Sequence, residues 1–186
     1  MIEVTAMGEE RKTEFAEACL KLVKEKKLKD ITVSDLLHET GSSRQTFYRY
    51  FWGKEQLIQY IYTSKIAGPV KKHYLDHGGN FLSNLLYSYI DNNDFLTQAQ
   101  ADSPYIQQQT TMLIEWWLAL HYSIIKGALN QRQYEKIHFY SLGAGSMIME
   151  WLLSDSRSTP SELANHFKLC FPEDMQYLLR YTIIHI

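Results

Sequence analysis

Ile31–Leu57 reads ITVSDLLHETGSSRQTFYRYFWGKEQL, two short amphipathic segments joined by Gly41-Ser42-Ser43. The first opens on Thr32-Val33-Ser34-Asp35, which matches a capping box with a Thr cap and an acidic third residue. Val33, Leu36 and Leu37 form its inner face. Gly41 stands where this helix must stop and the backbone turns left-handed, a conformation that is cheap only for glycine. Ser42 or Ser43 can cap the next helix, which runs through about Phe51, with Phe47 and Phe51 four apart and facing inward. Arg44, Gln45, Thr46, Tyr48 and Tyr50 give that helix a polar and aromatic face. One helix to brace, a tight turn and a second helix with a polar face form a helix-turn-helix, whose second helix can enter a DNA major groove.

Working outward, residues 1–10 show no clear period and are expected to be a frayed arm. From Arg11 to about Lys26 the pattern is helical, with Phe15, Ala18, Cys19, Leu22 and Val23 on one face and Lys21, Lys24, Glu25 and Lys26 on the other. Leu28 and Ile31 should dock the connection onto the core. Gly53 is a workable cap for a fourth helix whose inner face is Leu57, Ile58 and Ile61. Gly68-Pro69 is expected to break that helix or its continuation.

The run TGSSRQTFYRYFWGKEQL, preceded by the ITV segment and an amphipathic helix, resembles the DNA-binding head of TetR-type transcriptional regulators. The resemblance covers residues 11–62, and its most specific part is Phe47-Tyr48-Arg49-Tyr50-Phe51 followed by Gly53-Lys54-Glu55. It departs at Ser42, where the family usually has an apolar residue, so packing beneath the recognition helix could be looser. The resemblance implies an all-α protein with an N-terminal helix-turn-helix head and a C-terminal helical body for ligand binding and dimerisation. The divisions would be an arm at 1–10, a head at 11–64 and a body at 65–186. By family habit it would be a homodimeric repressor, released from DNA by a small-molecule inducer.

In the head, Arg44 can offer two donors to guanine, Gln45 can bridge adenine, and the Thr46 methyl can touch thymine. Thr32, Ser43, Tyr48, Tyr50 and Lys54 suit phosphate contacts, which fix register without reading sequence. Of these, Tyr48, Tyr50 and Lys54 match positions that in the family commonly touch the DNA backbone. The competing reading of Tyr48 and Tyr50 is simple packing on the first helix. The formal net charge is −2, so attraction to DNA must come from a local patch. Residues 20–54 hold six Lys and two Arg against two Asp and two Glu, a net of +4.

The body begins with a loop at Asp76-His77-Gly78-Gly79-Asn80. Phe81–Ile90 is helical, with Leu82, Leu85, Leu86 and Tyr89 on one side, and Asp91-Asn92-Asn93-Asp94 interrupts it. Pro104 lies in the first turn of the next helix with Ser103 as its cap. Tyr105–Leu129 is apolar nearly all round in its middle (Leu113, Ile114, Trp116, Trp117, Leu118, Leu120), the mark of a central buried helix. Tyr134–Leu153 carries Ile137, Tyr140, Ala144, Met147, Ile148 and Trp151 on one stripe, beside a small-residue patch from Ser141 to Ser146. Two helical glycines there each cost up to ~1 kcal/mol against alanine. Another helix, or the same helix of a second subunit, should therefore approach closely. Tyr140, Ala144, Met147, Ile148 and Trp151 are accordingly the expected dimer interface. Thr159-Pro160-Ser161-Glu162 starts a helix that ends before Pro172, and Tyr177–Ile186 is apolar enough to dock as a helix or a strand.

Tyr87, Tyr105, Trp116, Trp117, His121 and Tyr122 interleave apolar faces with polar tips. That fits either a pocket between helices for a small apolar or aromatic ligand, as the resemblance implies, or a plain aromatic core. Other chemistry finds no support. His73 and His77 are four apart, but no third ligand stands at a supporting interval for zinc. Gly143-Ala144-Gly145-Ser146 is no dinucleotide fingerprint, and no nucleophile elbow or phosphate-binding loop occurs. No catalytic residue, metal or cofactor is expected. Cys19 and Cys170, both on apolar faces, read as buried reduced thiols. No run is long and apolar enough to be a signal peptide or a membrane span, so the expected setting is the cytoplasm, and the partners a second copy and a pseudo-palindromic double-stranded DNA operator. In a second reading the body binds a partner protein and the chain is a regulator or co-activator. In a third the chain is a small helical enzyme or scaffold.

Overall fold

The computed structural model describes residues 2–155 and 158–180, apart from the side chains of residues 2–6, 102 and 180, and the described residues contain helices and no strand. Helix α1 (Ile2–Leu22) is followed by a 3₁₀ turn (Leu28–Asp30), α2 (Val33–Thr40) and α3 (Arg44–Tyr50). The caps expected in the helix-turn-helix are in place: Thr32 and Asp35 form a reciprocal box, Gly41 takes φ +60°, and Ser43 Oγ accepts from Thr46 N–H at 3.1 Å. The three helices close on Phe15, which meets Phe47 edge-on at 5.2 Å and Phe51 at 6.2 Å. Residues 2–10 are helical, not a frayed arm. Within the helix Lys12 pairs with Glu9 at 2.7 Å, and later elements brace it: Tyr60 Oη reaches Glu9 at 3.3 Å, and a Cβ on Gly8 would lie 3.7 Å from the Tyr50 ring.

Helix α4 (Lys54–Ile61) does not break at Gly68-Pro69. It passes through a π-helical segment (Tyr62–Ala67) directly into α5 (Gly68–His77), giving one continuous rod from head to body. The π turn is what admits the proline. Pro69 has no N–H, and in an unbroken α-helix its ring would strike a carbonyl one turn back. Here Gly68 N–H bonds to Thr63 O, five residues back, and a Cβ at Gly68 would sit 2.7 Å from that oxygen. Carbonyls around the widened turn are taken by side chains, Thr63 Oγ1 donating to Gln59 O at 2.9 Å and Ser64 Oγ to Tyr60 O at 2.6 Å.

The body comprises α6 (Phe81–Asp91), α7 (Asn93–Asp102), α8 (Tyr105–Lys126), α9 (Gln131–Leu153), α10 (Pro160–Leu169), a second 3₁₀ turn (Glu173–Met175) and α11 (Tyr177–Arg180). Residues 181–186 of the expected final segment lie outside the described residues. Helix α7 occupies a stretch with no expected helix, and it buries Phe95, Leu96 and Ala99. A buried hydroxyl chain ties the π segment to the body: Tyr62 and Tyr89 Oη are 2.7 Å apart, and Tyr89 Oη and Thr110 Oγ1 are 2.6 Å apart. Because Thr110 donates to Ile106 O at 2.7 Å, the protons run in order from Tyr62 to Tyr89 to Thr110. Burial pushes the Tyr62 phenol up to about 12 and Tyr89 higher than an ordinary tyrosine, so both remain neutral donors.

Helices α8 and α9 run antiparallel, with Glu115 facing His138 at 3.3 Å and Thr111 facing Gly145. A Cβ on Gly145 would lie 2.3 Å from Thr111 Oγ1. Helix α8 of the same chain thus approaches the small-residue patch at Gly145, while Gly143 has open space around it. Among the described residues, no helix is long and apolar enough to cross a membrane.

Candidate nucleic-acid interface

The outer face of α3 stands on a sealed core. Phe47 is fully buried, while Arg44, Gln45, Tyr48 and Arg49 are exposed around it. Tyr48 is 54% exposed, with its ring edge-on to Phe47 at 5.4 Å. The Arg44 guanidinium makes one long contact, 3.3 Å to Ser34 Oγ on α2. Ser43 and Thr46 hydroxyls lie 2.9 Å apart at the start of the helix. Thr32 is exposed at the start of α2; its hydroxyl donates to Asp35 Oδ2 at 2.7 Å while its backbone N–H donates to the same oxygen at 2.7 Å. The Lys26 ammonium, 2.7 Å away, and those two donors hold the Asp35 carboxyl well below the usual carboxylate range. Ser42 is half-buried and its N–H bonds to Leu37 O at 3.0 Å, so the polar residue is absorbed into the helix stop.

Two expected phosphate contacts are placed differently. Tyr50 is half-buried against the core and the Gly8 face of α1, the packing role set against a phosphate role above. Lys54 is turned inward: its ammonium donates to the carbonyls of Leu28 at 2.9 Å, Lys29 at 3.2 Å and Ile31 at 3.2 Å. Three donors with three acceptors make it a clamp on the first 3₁₀ turn rather than a group reaching for DNA. Within residues 20–54 Lys21 pairs with Glu39 at 2.5 Å and Lys26 with Asp35, which leaves the net excess unchanged, and Lys24, Lys27 and Lys29 are exposed. Arg44 and Arg49 are the cations of α3 itself. Arg49 lies four residues after Gln45, so helical spacing puts it on the same side. Trp52, just past the helix and 64% exposed, was not singled out by any motif.

In the body, the six aromatic residues expected to line a pocket do not gather round one cavity. Trp117 is stacked on Phe81 at 5.0 Å and lines a cavity of about 250 Å³ with Asn80, Leu82, Lys168 and Leu179. Tyr105 lines a different groove of about 400 Å³ between head and body. Tyr87 is exposed near Ser161, and Trp116 lies under the Lys71 ammonium, 4.7 Å from the ring centre. His121 is buried, Nδ1 donating to Leu178 O at 2.6 Å and Nε2 accepting from Tyr74 Oη; burial lowers its pKa. Tyr122 is buried beside it on α8.

The expected dimer stripe is the inner face of α9. Tyr140, Ala144, Ile148 and Trp151 are buried within the chain, Tyr140 donating to Phe167 O at 2.9 Å, and only Met147 is exposed. The apolar side chains that α9 leaves open are Phe139, 81% exposed, with Leu142, Met147 and Leu153. Cys170 is exposed at the end of α10, against the expectation of burial. Cys19 is buried, and burial pushes its thiol up to about 12.

No protein-family profile matches the chain. It is 30% identical over 84 residues to the HTH-type dhaKLM operon transcriptional activator DhaS of Lactococcus lactis subsp. lactis (strain IL1403), a match spanning 45% of this chain and 45% of that relative. A TetR transcriptional regulator from Streptococcus agalactiae 2603V superposes with a TM-score of 0.63 at 19% identity, covering 89% of this chain and 96% of that one. Capped helix-turn-helix, linking rod and helical body together have the all-α fold of that TetR regulator.

Proposed function

We propose that this chain is a sequence-specific DNA-binding transcriptional regulator acting in the cytoplasm as a homodimer. The observation that carries the reading is α3: capped by Ser43, seated on Phe47, and open at Arg44, Gln45 and Tyr48. Arg44 and Gln45 read base edges, and Thr32, Ser43, Thr46 and Tyr48 hydroxyls meet the backbone or adjacent bases. Dimerisation uses the outward face of α9, where Phe139, Leu142, Met147 and Leu153 are joined by exposed Met112 on α8. A two-fold pair of heads reads a pseudo-palindrome with half-sites about 34 Å apart. A small apolar or aromatic inducer in the body favours a different head spacing and releases DNA, which makes the protein a repressor. The relative from Lactococcus lactis, named as an activator, favours a second reading in which the body contacts a partner protein and the regulator activates.

The test is fluorescence anisotropy with duplexes from the region upstream of the chain's own gene. Arg44→Ala should lose about 1–3 kcal/mol of discrimination at one base pair, and Tyr48→Ala should weaken all duplexes alike. Binding that neither variant changes, or that salt leaves unaffected, refutes the proposal. Transcription from the same promoter in a strain lacking the gene separates repressor from activator.

A further inference from the structure

The first 3₁₀ turn is a meeting point of three elements. Leu28 N–H opens the turn and so has no acceptor within it; it donates to Gln98 Oε1 on α7 at 2.6 Å. Carbonyls of the same turn and of Ile31 hold the ammonium of Lys54, the first residue of α4. Thr32, the next residue, caps α2. Leu28 is fully buried and Ile31 nearly so, which anchors the turn between these partners. The body therefore touches the helix-turn-helix by a route that bypasses the linking rod. A single helix attaches a head to a body but leaves it free to bend and twist about the rod. A second attachment away from the axis removes that freedom.

We infer that Gln98 is a positioning residue for DNA recognition: by holding Leu28 N–H it fixes the angle at which α3 is presented, and it carries displacements of α7 to the head. The inference rests on the DNA-binding reading. Gln98→Met keeps the length of the side chain and removes the oxygen acceptor, while Gln98→Glu keeps an acceptor. Both are compared with the wild-type full chain on the duplex that the wild type selects from a randomised pool, and on versions with the half-site spacing changed by one base pair. Gln98→Met should bind the selected duplex about tenfold more weakly, the equivalent of one hydrogen bond, and discriminate less between spacings. Gln98→Glu should retain both properties. Equal loss on every spacing, or no loss for Gln98→Met, overturns the positioning role. Arg44→Ala runs alongside: if it binds as tightly as wild type, the DNA-binding reading fails instead.

A measurement without DNA keeps the two apart. In a Cys170→Ser background, spin labels at Arg49→Cys in the head and Lys72→Cys in the body report the head-to-body distance distribution. It should broaden with Gln98→Met and not with Gln98→Glu. An unchanged width with Gln98→Met overturns the proposal whatever the DNA result.

Discussion

Replacing Lys54 by methionine keeps the aliphatic stem and removes an ammonium that holds three carbonyls at 2.9, 3.2 and 3.2 Å. The bond to Lys29 O is exposed, and water can replace it. Those to Leu28 O and Ile31 O are partly buried, and each is worth about 1–1.5 kcal/mol once competing hydration is allowed for. The loss should therefore be about 2–3 kcal/mol. In a chain of this size that lowers Tm by about 5–10 °C. Thermal denaturation by circular dichroism reads the first half of the prediction. The second half is the salt dependence of DNA binding, whose slope would fall by about one per subunit if the variant had lost a phosphate contact. A clamp leaves the slope unchanged even as the protein is destabilised. Unchanged Tm together with a reduced slope would refute the clamp and restore Lys54 to the DNA surface.

Gly145→Ala should destabilise by about 1–3 kcal/mol, since the new Cβ would meet Thr111 Oγ1 at 2.3 Å. Thr111→Ala in the same chain should recover much of the loss in urea unfolding. Gly143→Ala, two residues away with open space around it, should instead stabilise by up to about 1 kcal/mol. Asp35 is held below the ordinary carboxylate range by Lys26 and the Thr32 donors. Its contribution is thus full above the unfolded value of about 4 and is lost as pH falls through the lower folded value; Asp35→Asn should flatten the acid side of the Tm profile. Phe139→Glu with Leu142→Glu places charges on the open face of α9, and sedimentation should then report a monomer whose helix content is unchanged.

Local rules were the legible part of this chain. The caps at Thr32, Ser43 and Thr159 follow from side chains that bond backbone three residues on, and the stop at Gly41 from a left-handed backbone that glycine takes cheaply; all four are present. Long-range partners were not legible in the same way. The acceptors of Lys54 lie more than twenty residues back and are carbonyls, which no residue type announces. Helix α7 was hidden because Asp91–Asp94 has the composition of a loop and Phe95, Leu96 and Ala99 span barely one turn. The stripe on α9 was read correctly as apolar, but periodicity cannot say which neighbour covers it. Within the chain α8 and the Phe167–Phe171 segment cover it, and the pair that falls off the stripe, Phe139 and Leu142, stays exposed. Gly68-Pro69 read as a break because an α-helical pitch was assumed through Pro69.

The π segment from Tyr62 to Ala67 also makes chain length a variable of its own. A residue added to or removed from a helix turns everything beyond it by about 100° around the axis. Tyr62–Ala67 already carries one residue more than an α-helical path would need. Insertions and deletions there, unlike substitutions, would dial the body around the head in fixed steps. In a two-fold assembly each step re-phases both recognition helices at once. Operator geometry would then change by jumps in linker length, even with every base-reading side chain of α3 left intact.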